Sequence, residues 1–441
     1  MSVNNVENKS KMDIASAVVS LEDQYTRANQ NSYSQFLDAS RVLPGGNTRV
    51  ALYYDPFPLY IQRAEGGHVY DVDEHRYRDF MNDLTAGFYG HSDSRIIEAL
   101  KSALDNGISY GGPHPHEARL ASQICKRFAS IERVRFTNSG TEANLLAMRL
   151  ARAVKKRSLV LAFYGSYHGS LASYLDVNAP LNVDQAEMVF ARYNDIDDVR
   201  RCIEAAEGHI AAIIVEPMIG SGGGIVGDWD FLRSLRSIST EYDALLIFDE
   251  VQTARFHPGG LQTVVGITPD ITTIGKSIGG GINFGAFGGK AEILNWMNPM
   301  QKGAIGHGGT FNNNVLTMIA GSVGLEEIAT EMALRNINEL GDTMRRQLID
   351  AATRFGMALS VGGFGSILSL HFQEKLPARP EEVKTSAVQR KLFHLHMLLK
   401  GFYVPRRGTI NLSLQTTQED CSSFVEAFAE FAELYGRQCH N

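Results

Sequence analysis

Lys276 lies in the stretch TIGKSIGGG at 273–281, between an apolar run and a cluster of glycines. Most lysines are solvated. One held in a glycine loop after a buried strand is different: burial near another cation lowers the ammonium pKa and leaves an amine able to attack a carbonyl. Asp249 ends the apolar run LLIF at 245–248 and is followed by EVQ. A carboxylate buried in this way needs a cation or several hydrogen bonds. A protonated ring nitrogen would serve, as would a metal ion or the start of the next helix. Ser139, Gly140 and Thr141, in RFTNSGTEAN at 135–144, follow a strand and open a helix. Two hydroxyls and free backbone N–H groups there form a phosphate cradle, although Ser139 and Glu142 also suit an ordinary capping box.

Two further segments complete the set. In FYGSYHG at 163–169, Tyr167 or His168 can lie against a flat ring or belong to a plain turn. In GHGGTFNNN at 306–314, Thr310 sits in a glycine-rich loop that can approach a phosphate or simply precede a helix on the surface. Singly, each signal has an ordinary structural alternative. Together, on one chain, they supply a phosphate cradle, a ring stacker, a carboxylate for a ring nitrogen and a lysine for an aldehyde.

These residues need a scaffold that brings them together. Between about 94 and 330, helical stretches alternate with short apolar strands at 134–137, 159–163, 210–215, 245–248 and 271–274. That alternation predicts an α/β fold with a mostly parallel sheet covered by helices on both faces. Each strand runs into polar or glycine-rich residues, among them Glu216, and ligands of open α/β sheets bind beyond the carboxyl ends of strands. Residues 68–80 read as two short strands around a turn. After about 331 come a long helix, strands at 367–372 and 409–414, and a last helix near 420–434. The expected organisation is an arm at 1–31, loose or a surface helix, the first part of a small α+β domain at 32–93, a large domain at 94–330, and the rest of the small domain at 331–441.

Composition narrows the classes. At 441 residues the chain exceeds one ordinary core. The net charge of −7 is spread along it without a basic block, so nucleic acid and anionic membranes are not expected partners. Cys125, Cys202, Cys421 and Cys439 show no C-x-x-C or zinc spacing, which points to free thiols in a reducing cytosol and to no metal. The first twenty residues lack the apolar core of a signal peptide, and no run reaches the roughly 18 apolar residues of a membrane span.

With these residues in view, SGTEAN (139–144), DEVQT (249–253), GKSIGGG (275–281) and GGTFNNN (308–314) resemble the class III aminotransferases of pyridoxal-5′-phosphate (PLP) fold type I. Within that class the chain looks like the glutamate-1-semialdehyde aminomutase branch, and most like its β-amino-acid (β-phenylalanine type) aminotransferases, from about 41 to 434. The resemblance implies that Lys276 holds PLP as a Schiff base and carries the proton between substrate and cofactor carbons. It implies that Asp249 keeps the pyridine nitrogen protonated, that Gln252 sits near the ring hydroxyl, and that Tyr167 covers the ring. Ser139, Gly140 and Thr141 would bind the phosphate, with Thr310 of a neighbouring subunit completing that site; Glu216 is counted with the cofactor-binding residues. A homodimer with shared active sites is implied, and the cysteines make the cytoplasm the expected compartment.

Two departures bear on substrate. The aminomutases carry GTxxGNP where this chain has GTFNNN at 309–314, and a GGVNSPVR-like stretch where it has GGNTRV at 45–50. Both local sequences look like the β-amino-acid group, whose N-terminal carboxylate-binding arginine falls on Arg49. A second arginine near the C-terminal strand falls on Arg406 or Arg407, and a guanidinium fork suits a carboxylate; either could instead be a solvated turn residue. The expected function is transfer of an amino group from a β-amino acid or related amine to a 2-oxo acid. The alternatives are a glutamate-1-semialdehyde 2,1-aminomutase-like isomerase and a non-catalytic PLP-fold binding protein.

Overall fold

The computed structural model of the protein describes residues 13–175 and 187–436. Its largest sheet has seven strands: β1 (Arg133–Thr137), β2 (Leu159–Phe163), β3 (Met188–Ala191), β4 (Ile210–Val215), β5 (Leu245–Asp249), β6 (Ile271–Gly275) and β7 (Gly285–Gly289). In space they run β1-β7-β6-β5-β4-β2-β3, with β7 alone antiparallel to the rest. The five strands expected from apolar runs are all present.

Burial on both faces explains why those runs read as continuous rather than alternating. Leu161 and Phe163 of β2 join a core with Val199, Ile203, Phe231 and Leu235, from helices Ile196–Ala205 and Trp229–Glu241. Their neighbours Val160 and Ala162 join another core with Ala143, Ala147 and Ala151 of helix Gly140–Lys155. Successive side chains of a strand point to opposite faces, so each strand feeds two cores.

β7, GAFGG, carries no strand signature because glycine weakens strands and supplies no side chain to pack. The structure shows why a glycine stands there. A Cβ on Gly288 would lie 2.5 Å from Ile131 and 2.7 Å from the Arg133 carbonyl. The close approach of β7 to its neighbours is therefore open only to glycine at that position.

A separate core draws on both ends of the chain. It includes Ala17, Leu21 and Tyr25 near the start, and Leu392, Phe393, Phe424 and Phe428 near the end. One sheet joins Ile61–Glu65, His68–Asp71 and Arg76–Asp79 to Phe402–Tyr403, the last pairing parallel to Arg76–Asp79. Another joins Ser360–Phe364, Ile367–His371 and Thr409–Asn411. Part of the segment expected as a loose arm or a surface helix is the helix Ile14–Ala28, docked on the core rather than loose. It is capped by Asp13, buries Ala17, Val18, Leu21 and Tyr25, and packs on helix Ala387–Leu399. Its apolar stripe, too short to stand out in a polar sequence, finds a partner about 370 residues away. Residues 1–12 and 437–441, including Cys439, lie outside the described residues; Cys125, Cys202 and Cys421 are free thiols.

Candidate active site

The carboxyl ends of β1, β2, β4, β5 and β6 open onto one cavity of about 460 Å³. Ser139, Gly140, Thr141, Tyr167, Glu216, Asp249, Gln252 and Lys276 all line it, and Arg49 stands on its wall. Residues far apart in sequence share it because parallel strands place all their carboxyl ends on one edge of the sheet.

Asp249, the last residue of β5, is 4% exposed. Its Oδ2 accepts from Asn144 Nδ2 at 2.7 Å and from His168 Nδ1 at 2.8 Å, and its Oδ1 accepts from the Val251 N–H at 3.0 Å. Asn144 is held in turn: its Oδ1 accepts from Thr273 Oγ1 at 2.6 Å and its Nδ2 also reaches the His168 carbonyl. The carboxylate is thus aimed by one residue each from a helix, a loop and β6. His168 is fully buried beneath Asp249 rather than on the cavity wall, which removes it as a ring stacker and makes it a second support for the carboxylate. Only Tyr167 of that pair faces the cavity. Among the described residues no group of three or more His, Cys, Asp or Glu side chains is placed so as to hold a metal ion.

Lys276 follows β6 with φ +49°, a left-handed conformation that a non-glycine residue adopts at a cost. Its amine is enclosed by protein, while the side chain keeps some surface along the cavity. Burial, then the Arg407 charge, pushes its pKa down to about 8, against the opposing pull of Asp249, Glu216 and Asp83. Glu216, at the end of β4, moves the other way. Burial raises it to about 7 with help from the Asp249 charge, while His168 and the N–H groups of Tyr167 and Gly220 hold it down. Those N–H groups lie 2.8 and 3.1 Å from its oxygens.

The start of helix Gly140–Lys155 closes the far end. Ser139 caps it, accepting from the Glu142 N–H at 3.2 Å. Capping and a phosphate cradle are compatible, because one capped N–H leaves the other first-turn donors free. A Cβ on Gly140 would sit 2.9 Å from a Val251 methyl, so the helix start can lie this close to the Asp249 loop only as glycine. Gln252, 8% exposed, lies beside Gly220 on the same wall.

The arginines separate. Arg407 lines a neighbouring cavity rather than the one around Lys276, donating to Ser221 Oγ at 3.2 Å and Thr409 Oγ1 at 3.3 Å, and no carboxylate among the described residues pairs with it. Burial lowers its pKa first, and Glu216, Tyr167 and Arg49 are the charged groups it senses. Arg406 turns to Asp55, 3.3 Å away. Arg49 pairs with Asp83 at 2.5 Å. Thr310 is exposed and outside this chain's own cavity. Its loop nevertheless reaches the cradle through Asn312, whose Oδ1 accepts from Asn138 Nδ2 at 2.9 Å. Asn144 was legible as part of a motif, but its aim at Asp249 was not, and Asp83 carried no sequence signal.

The donor set fits PLP: a first-turn N–H cradle for a phosphate, an acceptor carboxylate for a ring nitrogen, and an enclosed amine of lowered pKa for an aldehyde. The volume also lies within the range of about 300–1,000 Å³ usual for cofactor sites.

Comparison with known proteins follows the same line. The class-III aminotransferase family model matches residues 50–430. A β-phenylalanine transaminase of Variovorax paradoxus is 41% identical over 414 residues, which cover 94% of this chain and 95% of that one. A glutamate-1-semialdehyde 2,1-aminomutase of Rhodopirellula baltica is 35% identical over 402 residues, covering 86% and 90%. The crystal structure of a β-phenylalanine aminotransferase from Variovorax paradoxus matches the fold with a TM-score of 0.94 at 40% identity, covering 96% and 98%.

Proposed function

The chain belongs to the class-III aminotransferases and uses PLP, and from that premise we propose that it moves the amino group of a β-amino acid, or a related amine, to a 2-oxo acid. What carries the substrate reading is Arg49 on the wall of the Lys276 cavity, with Arg407 lining the neighbouring cavity beside Ser221 and Thr409, where its charge still lowers the Lys276 pKa, while Arg406 is engaged by Asp55. A guanidinium near the reacting amine is a carboxylate site. The high identity to a β-phenylalanine transaminase supports the same substrate class.

When bound, PLP supplies an aldehyde and an electron-withdrawing ring. The chain supplies the rest. Ser139, Gly140 and Thr141 bind the phosphate at a helix start, completed by Thr310 from the partner subunit of a homodimer. Asp249, held by Asn144 and His168, keeps a proton on the ring nitrogen. Tyr167 covers one face of the ring, Gln252 faces its hydroxyl, and Glu216 fixes the Tyr167 backbone. Lys276 Nζ takes a proton from the substrate carbon and returns it, a task suited to an amine near neutrality. Arg49 and Arg407 orient carboxylates of donor and acceptor. We place the enzyme in the cytoplasm; among the described residues no helix is long and apolar enough to cross a membrane.

The test is a panel of α-, β- and ω-amino donors with pyruvate and 2-oxoglutarate. The reading expects β-amino donors to give the highest kcat/KM; a panel led by α-amino donors would overturn the substrate class. A second reading, an aminomutase, is favoured by the 35% identity to a glutamate-1-semialdehyde aminomutase. Donor added without any oxo acid separates the two. The transaminase releases one equivalent of ketone per site, whereas the mutase yields a rearranged amine and no free ketone.

A further inference from the structure

Asn82, Asp83, Leu84 and Thr85 have φ values of 43°, 46°, 51° and 84°. L-residues avoid left-handed backbone, and four in succession persist only where the surroundings over-determine them. Here they do. Asp79 Oδ1 accepts from the N–H groups of Met81 and Asn82 at 2.8 and 2.9 Å, and its Oδ2 meets His91 Nε2 at 2.8 Å. Asn82 Nδ2 donates to Asp79 O and Asn411 O, and Asn411 Nδ2 donates back to Met81 O at 2.9 Å. Two stretches of chain more than 300 residues apart clamp the turn.

What the turn delivers is the Asp83 carboxylate. It lies at the cavity mouth, 2.5 Å from Arg49 Nη1, and its charge is felt at Lys276. The Arg49 and Asp83 side chains are 46% and 52% exposed. Glu216 and Asp249, the other carboxylates on the cavity wall, are buried and bonded to donors of their own. An acid on a clamped backbone therefore occupies the guanidinium that would receive a substrate carboxylate.

We propose that Asp83 is a built-in competitor for Arg49, exchanged for the carboxylate of the incoming substrate, and so a specificity-determining residue that sets how tightly carboxylate-bearing amines bind. A half-exposed ion pair has little net strength, which lets a substrate carboxylate displace it by a two-pronged contact. The clamped backbone keeps Asp83 within reach, so the pair re-forms when product leaves. This rests on Arg49 being a substrate-carboxylate site.

Asp83→Asn is the informative variant, because asparagine tolerates left-handed backbone as aspartate does. In the holoenzyme, with the carboxylate-bearing donor that performs best in the panel, it lowers KM by about 1.5- to fivefold, the span of an exposed ion pair, and leaves kcat within twofold. In an Arg49→Gln background, where KM is raised, the same substitution leaves KM unmoved. A KM that stays or rises in Asp83→Asn alone overturns the proposal, and a rise shows that Asp83 aims Arg49 instead. An unchanged KM in Arg49→Gln alone overturns the assignment of Arg49, and the proposal with it.

Discussion

The low pKa of Lys276 has a direct kinetic consequence. A lysine of ordinary pKa has about 0.03% free amine at pH 7, whereas one near 8 has about 10%, a difference of about 300-fold. Protein stripped of cofactor and mixed with saturating PLP should therefore form the visible band at a limiting rate that rises about tenfold per pH unit and levels near pH 8. Two substitutions should move that midpoint in opposite directions. Arg407→Gln removes a positive neighbour, favours the protonated amine and shifts the midpoint up. Asp249→Asn removes a negative neighbour and shifts it down. Stability follows the same sign. The folded value lies below the unfolded one, so between about 8 and 10.5 the folded cofactor-free protein binds fewer protons, and its stability from this group rises with pH across that window. Lys276→Met should abolish that rise in a denaturant titration. A limiting rate still climbing at pH 10, or midpoints that move together in the two variants, would refute the account of burial and charge around Lys276.

Asp249→Ala should leave cofactor bound through the phosphate cradle yet cut kcat on the order of 100-fold or more, since it removes a preorganised electrostatic partner of the ring; a fall of less than tenfold would contradict its role. Arg407→Ala should raise KM for carboxylate substrates at least about tenfold, as loss of a charged hydrogen-bonding partner does, whereas Arg406→Ala, which breaks only a part-exposed pair with Asp55, should leave steady-state constants within about twofold. Equal effects of the two would undo the distinction. Thr310→Ala should weaken PLP binding, and a mixed dimer with a Lys276→Ala chain should regain tight binding at one site per dimer; no recovery would place Thr310 in its own chain's site.

Local sequence carried a large part of this protein. Five strands of the main sheet were legible, the central ones because burial on both faces demands nearly unbroken apolar runs, and the polar residues closing them were legible because parallel strands end on one edge. The order of Ser139, Tyr167, Asp249 and Lys276 along the chain was enough to read the cofactor class. Tertiary structure decided what no local pattern encodes. The glycines of β7 became a strand only where neighbouring backbones left no room for a side chain. His168 and Tyr167, adjacent and both aromatic, were separated by the pleat of one short turn, one into the core behind Asp249 and one onto the cavity. Arg406 and Arg407 were likewise equivalent until packing aimed one at Asp55 and the other at Ser221 and Thr409. Asp83 reached Arg49 only through a left-handed turn clamped by Asn411. Periodicity tells which faces are buried, because that depends on a residue and its near neighbours; which charge meets which depends on contacts between segments hundreds of residues apart.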